Sequence, residues 1–287
     1  MSTVNALRRN QFVRSLAIPI YRGVARLSPT SSEVKICVNS IPKGGTHLVT
    51  SVLNKIPDII FSGYHLSEED VFTQYPAIPG GSTIDTSVKK VLSRCRKGQY
   101  LTMHSPFDSR VSAQLKSFGF GKIFLLRDPR DILVSYVNYV LREKRHFHHD
   151  YFNKIGDFDK LLGLTINGFH SNEDVELGLP SVKQMLERYS GWLDDPEIVV
   201  LRFENLIGEK GGGTLEAQFL EVEKILKVAG IGVSPKMVES ISGKTYSENS
   251  VTFSKGSIRQ WEKSFNASNR KRFEETASDE MHRLGYV

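Results

Sequence analysis

The sequence predicts an α/β fold: a single domain on a central parallel β-sheet flanked by helices. Three observations carry this. Short apolar strand-like runs alternate with helical patterns from residue 34 onward, as crossover connections between parallel strands require. Those runs are almost uniformly apolar, as strands covered on both faces are. The residues able to do chemistry, Lys43, Thr46, His104 and Arg127, fall where strands end, the edge at which such sheets bind ligands.

In order, "VKICVN" (34–39) reads as the first strand and roughly 46–55 as a helix. In "STIDTSVKKVLSRCRKG" (82–98), Val88, Val91, Leu92 and Cys95 recur at helical spacing. "QYLTMHSP" (99–106) is a short strand stopped by Pro106, and "GKIFLLRDP" (121–129) a buried one. "PRDILVSYVNYVLREK" (129–144) is a helix with Asp128 as N-cap and Pro129 in its first turn. "EIVVLRFENL" (197–206) is a strand turning into a helix. "TLEAQFLEVEKILKVAG" (214–230) is an amphipathic helix ended by Gly230, and "SPKMVESIS" (234–242) starts another.

The 287 residues are 39% hydrophobic and 24% charged, enough for a sizeable core. No apolar run is long enough to cross a bilayer. Cys37 and Cys95 offer no disulfide framework; a reducing, cytoplasmic compartment is expected. Of the net charge of +6, five units come from Arg8, Arg9, Arg14, Arg22 and Arg26. The charge is thus concentrated in an N-terminal segment and not spread over a nucleic-acid-binding face. Residues 1–32 read as that basic segment with a "SPTSS" linker, and 33–287 as the domain. Residues 5–27 mix arginines with aromatic and aliphatic side chains. They suit either peripheral contact with an anionic membrane or a helix packed on the domain, with Pro19 interrupting a continuous helix.

Three stretches carry chemistry. In "NSIPKGGTHLVTSVL" (39–53) a strand-to-helix turn holds Lys43, Gly44, Gly45 and Thr46. Backbone N–H groups there, with the helix dipole, suit an anion. The lysine precedes the glycines, so this is not a Walker A loop. A glycine turn with an incidental lysine is the alternative. In "LLRDPRDILVSYVNYV" (125–140), Arg127 and Ser135 can converge on one anion. Asp131, Ser135, Asn138 and Arg142 share one helix face; Ile132, Leu133, Tyr136 and Val140 share the other. A salt bridge from Arg127 to Asp128 or Asp131 is the competing reading. In "VTFSKGSIRQWEKSF" (251–265), Lys255 and Gly256 suit a further phosphate, or form a basic surface loop held down by Trp261 and Phe265.

Together these stretches resemble the cytosolic-type sulfotransferases that use 3′-phosphoadenosine 5′-phosphosulfate (PAPS). "PKGGTH" resembles the family's P-K-S-G-T loop for the 5′-phosphosulfate, and "RDPRDILVSY" its 3′-phosphate motif. "FSKGSIRQW" resembles the R-K-G-x-x-G-x-W loop, "LRFENL" (201–206) the strand-end Y-E-D/N segment, and "KTYSEN" (244–249) the segment that meets adenine. The resemblance spans roughly residues 34–265 and implies a P-loop-like sulfotransferase fold. It departs from the family at Gly44, where a serine hydroxyl is suggested to modulate the catalytic lysine, at Leu48, where a tryptophan often stacks on adenine, and at Ser254, an arginine in the motif.

The resemblance implies in-line transfer of a sulfuryl group to a hydroxyl or amine. It assigns His104 as base and Lys43 as the cation at the leaving oxygen. Lys43, Gly44, Gly45, Thr46 and His47 hold the phosphosulfate, Arg127, Ser135, Lys255 and Gly256 the 3′-phosphate, and Thr245 and Tyr246 the adenine. No metal is expected. The acceptor is a small molecule, a lipid or a saccharide. The basic segment 141–162, with His146, His148 and His149, is either a surface for an acidic saccharide or anionic head group or a solvated loop. The family's habit of dimerising implies a homodimer, for which the C-terminus shows no motif. A P-loop-type kinase is opposed by the lysine order, and a non-catalytic nucleotide-binding protein by the presence of both His104 and Lys43.

Overall fold

The structure, a computed structural model, describes residues 23, 32–78, 80–173, 175, 177–243, 245 and 257–286. Five parallel strands form one sheet: β1 (Lys35–Ser40), β2 (Ile60–Leu66), β3 (Gln99–Met103), β4 (Phe120–Leu126) and β5 (Ile198–Arg202), in the order β2-β3-β1-β4-β5. β1 is central, pairing Val38 with Thr102 of β3 and with Ile123 of β4. The chain passes from the β3 side of β1 to the β4 side, so the switch point lies at the carboxyl end of β1, where the crevice of such a sheet opens.

The longer helices are α1 (Thr46–Leu53), α2 (Ser87–Arg94), α3 (Ser109–Ser117), α4 (Pro129–Arg142), α5 (His149–Ile155), α6 (Phe158–Asn167), α7 (Val182–Ser190), α8 (Leu215–Val228), α9 (Pro235–Ser242) and α10 (Ala267–Leu284). Alternation along the strands sorts them into two layers. Ile36, Val38, Ile123 and Leu125 face a core made with α1, α8 and α9. Cys37, Leu101, Phe124 and Leu126 face the larger core with α3, α4, α6, α7 and α10.

The caps expected at Asp128 and Gly230 are present, and Thr214 adds another. Asp128 accepts from the Arg130 amide with Pro129 opening α4, and Thr214 accepts from the Ala217 amide at α8. Gly230 follows α8 at φ 69°, a left-handed turn that suits glycine. Cys37 and Cys95 are buried and not joined in a disulfide, and burial pushes the Cys37 thiol far up, which leaves it inert. No described helix is long and apolar enough to cross a membrane.

β2 is the strand that sequence patterning did not reveal, along with the helices α3, α5, α6, α7 and α10. It is an edge strand whose pairing with β3 shifts register between Phe61 and His65, and Gly63 within it sits at φ 78°. The bulge breaks the two-residue apolar alternation by which a strand is read.

Candidate active site

Each strand delivers one part of the site at its carboxyl end. β1 runs into the turn 41–45. There Lys43 takes φ 70° and Gly45 φ 96°, and the Gly44 amide closes the turn on the Ile41 carbonyl at 2.8 Å. A Cβ on Gly45 would lie 2.5 Å from the Phe203 ring. Glycine is required there on two counts, positive φ and close approach. A Cβ on Gly44 would meet the Ile41 carbonyl oxygen at 2.8 Å. The departure from the family's serine therefore fits this turn as it is folded.

Thr46 opens α1 and is buried, its hydroxyl 2.7 Å from that of Ser40. His104 follows β3. Its amide donates to the Leu66 carbonyl at 2.8 Å, and neighbouring Ser105 is clamped to the Asn39 side chain in both directions. The His104 Nδ1 lies 2.8 Å from the Ser40 carbonyl oxygen. A carbonyl can only accept, so Nδ1 carries the proton and Nε2 keeps its lone pair. Burial, with His65 next, lowers the His104 pKa to about 4. At neutral pH the ring is uncharged and able to take a proton.

Arg127 follows β4. Its guanidinium donates to the Lys43 carbonyl at 3.1 Å and lies 4.3 Å from the centre of the Phe203 ring. The competing salt bridge is not formed. Asp128 pairs with Arg130, and Asp131 accepts from the Arg259 and Trp261 amides. Among the described residues the buried Arg127 Nε has no hydrogen-bond partner, a costly state for a buried donor unless another group completes it. Phe203 and Glu204 follow β5. The Glu204 carboxylate accepts from the Asp128 amide at 2.8 Å and the Tyr286 hydroxyl at 2.7 Å, fixing the turn that aims Arg127.

Two cavities flank α4. One, of about 1000 Å³, is lined by Gly45, His47, Arg127, Ser135, Asn138 and Lys263, among others. The other, about 200 Å³, is lined by Pro42, Ile132, Leu133, Tyr136, His146 and Phe147, by further apolar side chains, and by Glu68, Glu69 and Arg188, of which Glu68 and Arg188 pair with each other. The two faces of α4 thus serve different cavities, with the polar face on the larger one. Lys43 lines neither. Its ammonium rests 3.8 Å from the centre of the Tyr139 ring. Burial, then Arg142 and Arg127, lowers its pKa to about 8.

The structure therefore brings together Lys43, Gly44, Gly45, Thr46, His47, His104, Arg127 and Ser135. Thr245 stands apart: its hydroxyl donates to the Ile241 carbonyl, its own carbonyl accepts from Ser51, and it does not line the larger cavity. Tyr246, Lys255 and Gly256 lie outside the described residues, as does most of 5–27. His65, missed with its strand, sits edge-on to His104 with ring centres 4.9 Å apart, and its Nδ1 lies 2.9 Å from the Thr102 hydroxyl.

The segment 141–162 is less basic than its composition suggests. His148 is buried, its Nε2 donating to the Leu177 carbonyl and its Nδ1 accepting from the Tyr136 hydroxyl. Burial lowers His146 to about 4, so it is neutral. Arg145 pairs with Glu143. Two of its three histidines thus belong to an aromatic cluster and add no charge to the surface.

The sulfotransferase domain model matches residues 33–285. No curated protein sequence matches significantly. Among solved structures, mouse sulfotransferase SULT7A1 complexed with PAP is similar at TM-score 0.56 and 19% identity, over 91% of this chain and 88% of that one. A retinol dehydratase in a complex with retinol and PAP is similar at TM-score 0.50 and 14% identity, over 92% and 86%. At these identities the structural likeness shows the fold. The domain match covers nearly all of the described chain, and the chain belongs to the sulfotransferase domain family.

Proposed function

We propose that this sulfotransferase takes its sulfuryl group from PAPS and gives it to the hydroxyl of a small, largely apolar alcohol or phenol. The observation that carries the donor assignment is the Arg127 Nε, buried and without a partner among the described residues, in a cavity of about 1000 Å³ that Ser135 also lines. That volume is at the upper end of the range typical for ligand sites. The donor would supply a sulfuryl group already bonded to a good leaving phosphate. Amides of the turn and the N-terminus of α1, with Thr46, would hold the 5′ side; Arg127 and Ser135 would hold the 3′-phosphate. Lys255 and Gly256 join the 3′ side, and Tyr246 the adenine side, on their sequence match alone.

His104 takes the acceptor proton at Nε2, the nitrogen that its Ser40 hydrogen bond leaves unprotonated. Lys43 supplies positive charge where the leaving oxygen gains negative charge. The acceptor class rests on the second cavity, whose lining is mostly apolar and aromatic and starts at Pro42, beside Lys43. This favours a flat apolar acceptor over the acidic saccharide or anionic head group. The reaction needs no metal in this reading, since lysine fills the cationic role. Contact of residues 5–27 with anionic membranes, a cytoplasmic location and homodimerisation remain proposals from sequence.

The test is transfer of radiolabelled sulfate from PAPS to phenolic, steroidal and saccharide acceptors, with calorimetry for 3′,5′-ADP against 5′-AMP. Tighter binding of 3′,5′-ADP and transfer to phenols are expected. Equal affinity removes the 3′-phosphate site. Activity abolished by EDTA and restored by Mg²⁺ points to a kinase instead.

A further inference from the structure

We infer that Tyr139 is a positioning residue that restrains Lys43, taking the place of a hydroxyl at Gly44; this rests on the sulfotransferase reading above. The Lys43 ammonium lies 3.8 Å from the Tyr139 ring centre, inside cation–π range. Among the described residues it has no carboxylate partner. The turn around it is strained at Lys43, with φ 70°. Gly45 on one side lines the larger cavity and Pro42 on the other lines the smaller, while Lys43 and Tyr139 line neither. The cation thus rests on a ring face, on a turn whose flanking residues reach the two cavities.

Gly44 cannot supply the restraint, and a Cβ there would press on the Ile41 carbonyl oxygen at 2.8 Å. Tyr139 can, because α4 fixes it. It lies one helical turn past Ser135, and its ring meets His146 edge-on at 5.6 Å. His146 lines the smaller cavity. An unbroken chain of contacts therefore runs from the acceptor side, through His146 and Tyr139, to Lys43.

Restraint matters because a free lysine at the leaving oxygen would assist water as well as an acceptor. In that side reaction water adds to sulfur and the bond from sulfur to the 5′-phosphate oxygen breaks. Sulfate, 3′,5′-ADP and a proton result. With the ammonium held on the ring, this hydrolysis stays slow until the acceptor side is filled.

The experiment compares Y139F, which keeps the ring, with Y139L and Y139Q, which remove it. Acceptor-independent hydrolysis of PAPS should rise about threefold to thirtyfold in Y139L and Y139Q, the span of a cation–π contact, and stay near wild type in Y139F. A second readout is the alkaline limb of kcat/KM for PAPS, which reports free-enzyme groups. Arg127 and Arg142 lower Lys43, and neutral His47, His104 and His146 stand nearby. Losing the ring should move that limb to lower pH in Y139L and Y139Q and leave it in place in Y139F. Calorimetry with 3′,5′-ADP verifies a folded donor site in each variant. Unchanged hydrolysis and an unmoved limb in Y139L and Y139Q, with transfer retained, overturn the role of Tyr139 and leave the sulfotransferase reading standing. A wild type that neither binds 3′,5′-ADP nor transfers sulfate overturns both.

Discussion

Two buried or half-buried lysines occupy opposite ends of the same sheet. Lys122, near the start of β4, is 3% exposed and saturated. Its ammonium meets Asp195 at 2.8 Å, the Ser112 hydroxyl at 2.9 Å and Glu197 at 3.3 Å. Lys43, past the carboxyl end of β1, has a ring face and two arginines for company. The difference teaches how the sheet divides its work. At the amino end charge is cancelled locally, and the pair closes the lower edge of the core. At the carboxyl end the cations Lys43 and Arg127 make no ion pair among the described residues, which suits the anionic donor proposed above. A desolvated cation without a contacting carboxylate costs stability, and Arg127, whose pKa burial lowers and the nearby Asp131, Glu204 and Asp128 only partly restore, is the clearer case.

The comparison can be broken in several ways. The largest expected effect is at His104. His104→Ala should lower the transfer rate about 10²–10⁴-fold, and a variant keeping more than about a tenth of the rate removes it as the base. Next is Lys122→Ala, which leaves Asp195 buried and unpaired and should destabilise by about 3–5 kcal/mol, read as a shifted denaturant midpoint. Its folded fraction should turn over normally. Lys43→Met should do the reverse, costing about 10²–10³ in kcat with little change in the midpoint. If the Lys43 and Lys122 variants lose stability equally, the division between the two ends is wrong.

Smaller still is the pH dependence. The base must be neutral and the lysine protonated. His104 is lowered to about 4 and Lys43 to about 8. Activity in kcat/KM for the donor should therefore fall below pH about 4 and above about 8. An acid limb near the ordinary histidine value of ~6.5 would mean that His104 is not buried as the structure has it. The smallest expected effect is on stability, where replacing the whole Lys122–Asp195 pair by Met and Leu should be near neutral, as isosteric apolar replacements of buried pairs often are.

Much of the site was legible because its parts are local. The turn 41–45, the cap at Asp128 and the four-residue recurrence from Asp131 to Ser135 are each set within a few residues. What escaped was whatever depends on pairing or depth. β2 lacks clean alternation because its bulge and Gly63 belong to an edge strand, and His65 was lost with it. The histidines of 146–149 read as basic surface, since a sequence shows composition and not that the Leu177 carbonyl and Tyr136 hydroxyl hold His148 inside.

The sequence alone determined four of the five strands, the glycine turn after β1, the capped helix α4 and the family, because periodicity and motif spacing are properties of the chain. Tertiary structure decided the ionisation and aim of the side chains. Which nitrogen of His104 is protonated follows from the Ser40 carbonyl on another strand. Where Lys43 rests follows from a ring carried 96 residues further along, on α4. Burial and hydrogen-bond geometry arise only when distant segments meet, and they set the charge on each group.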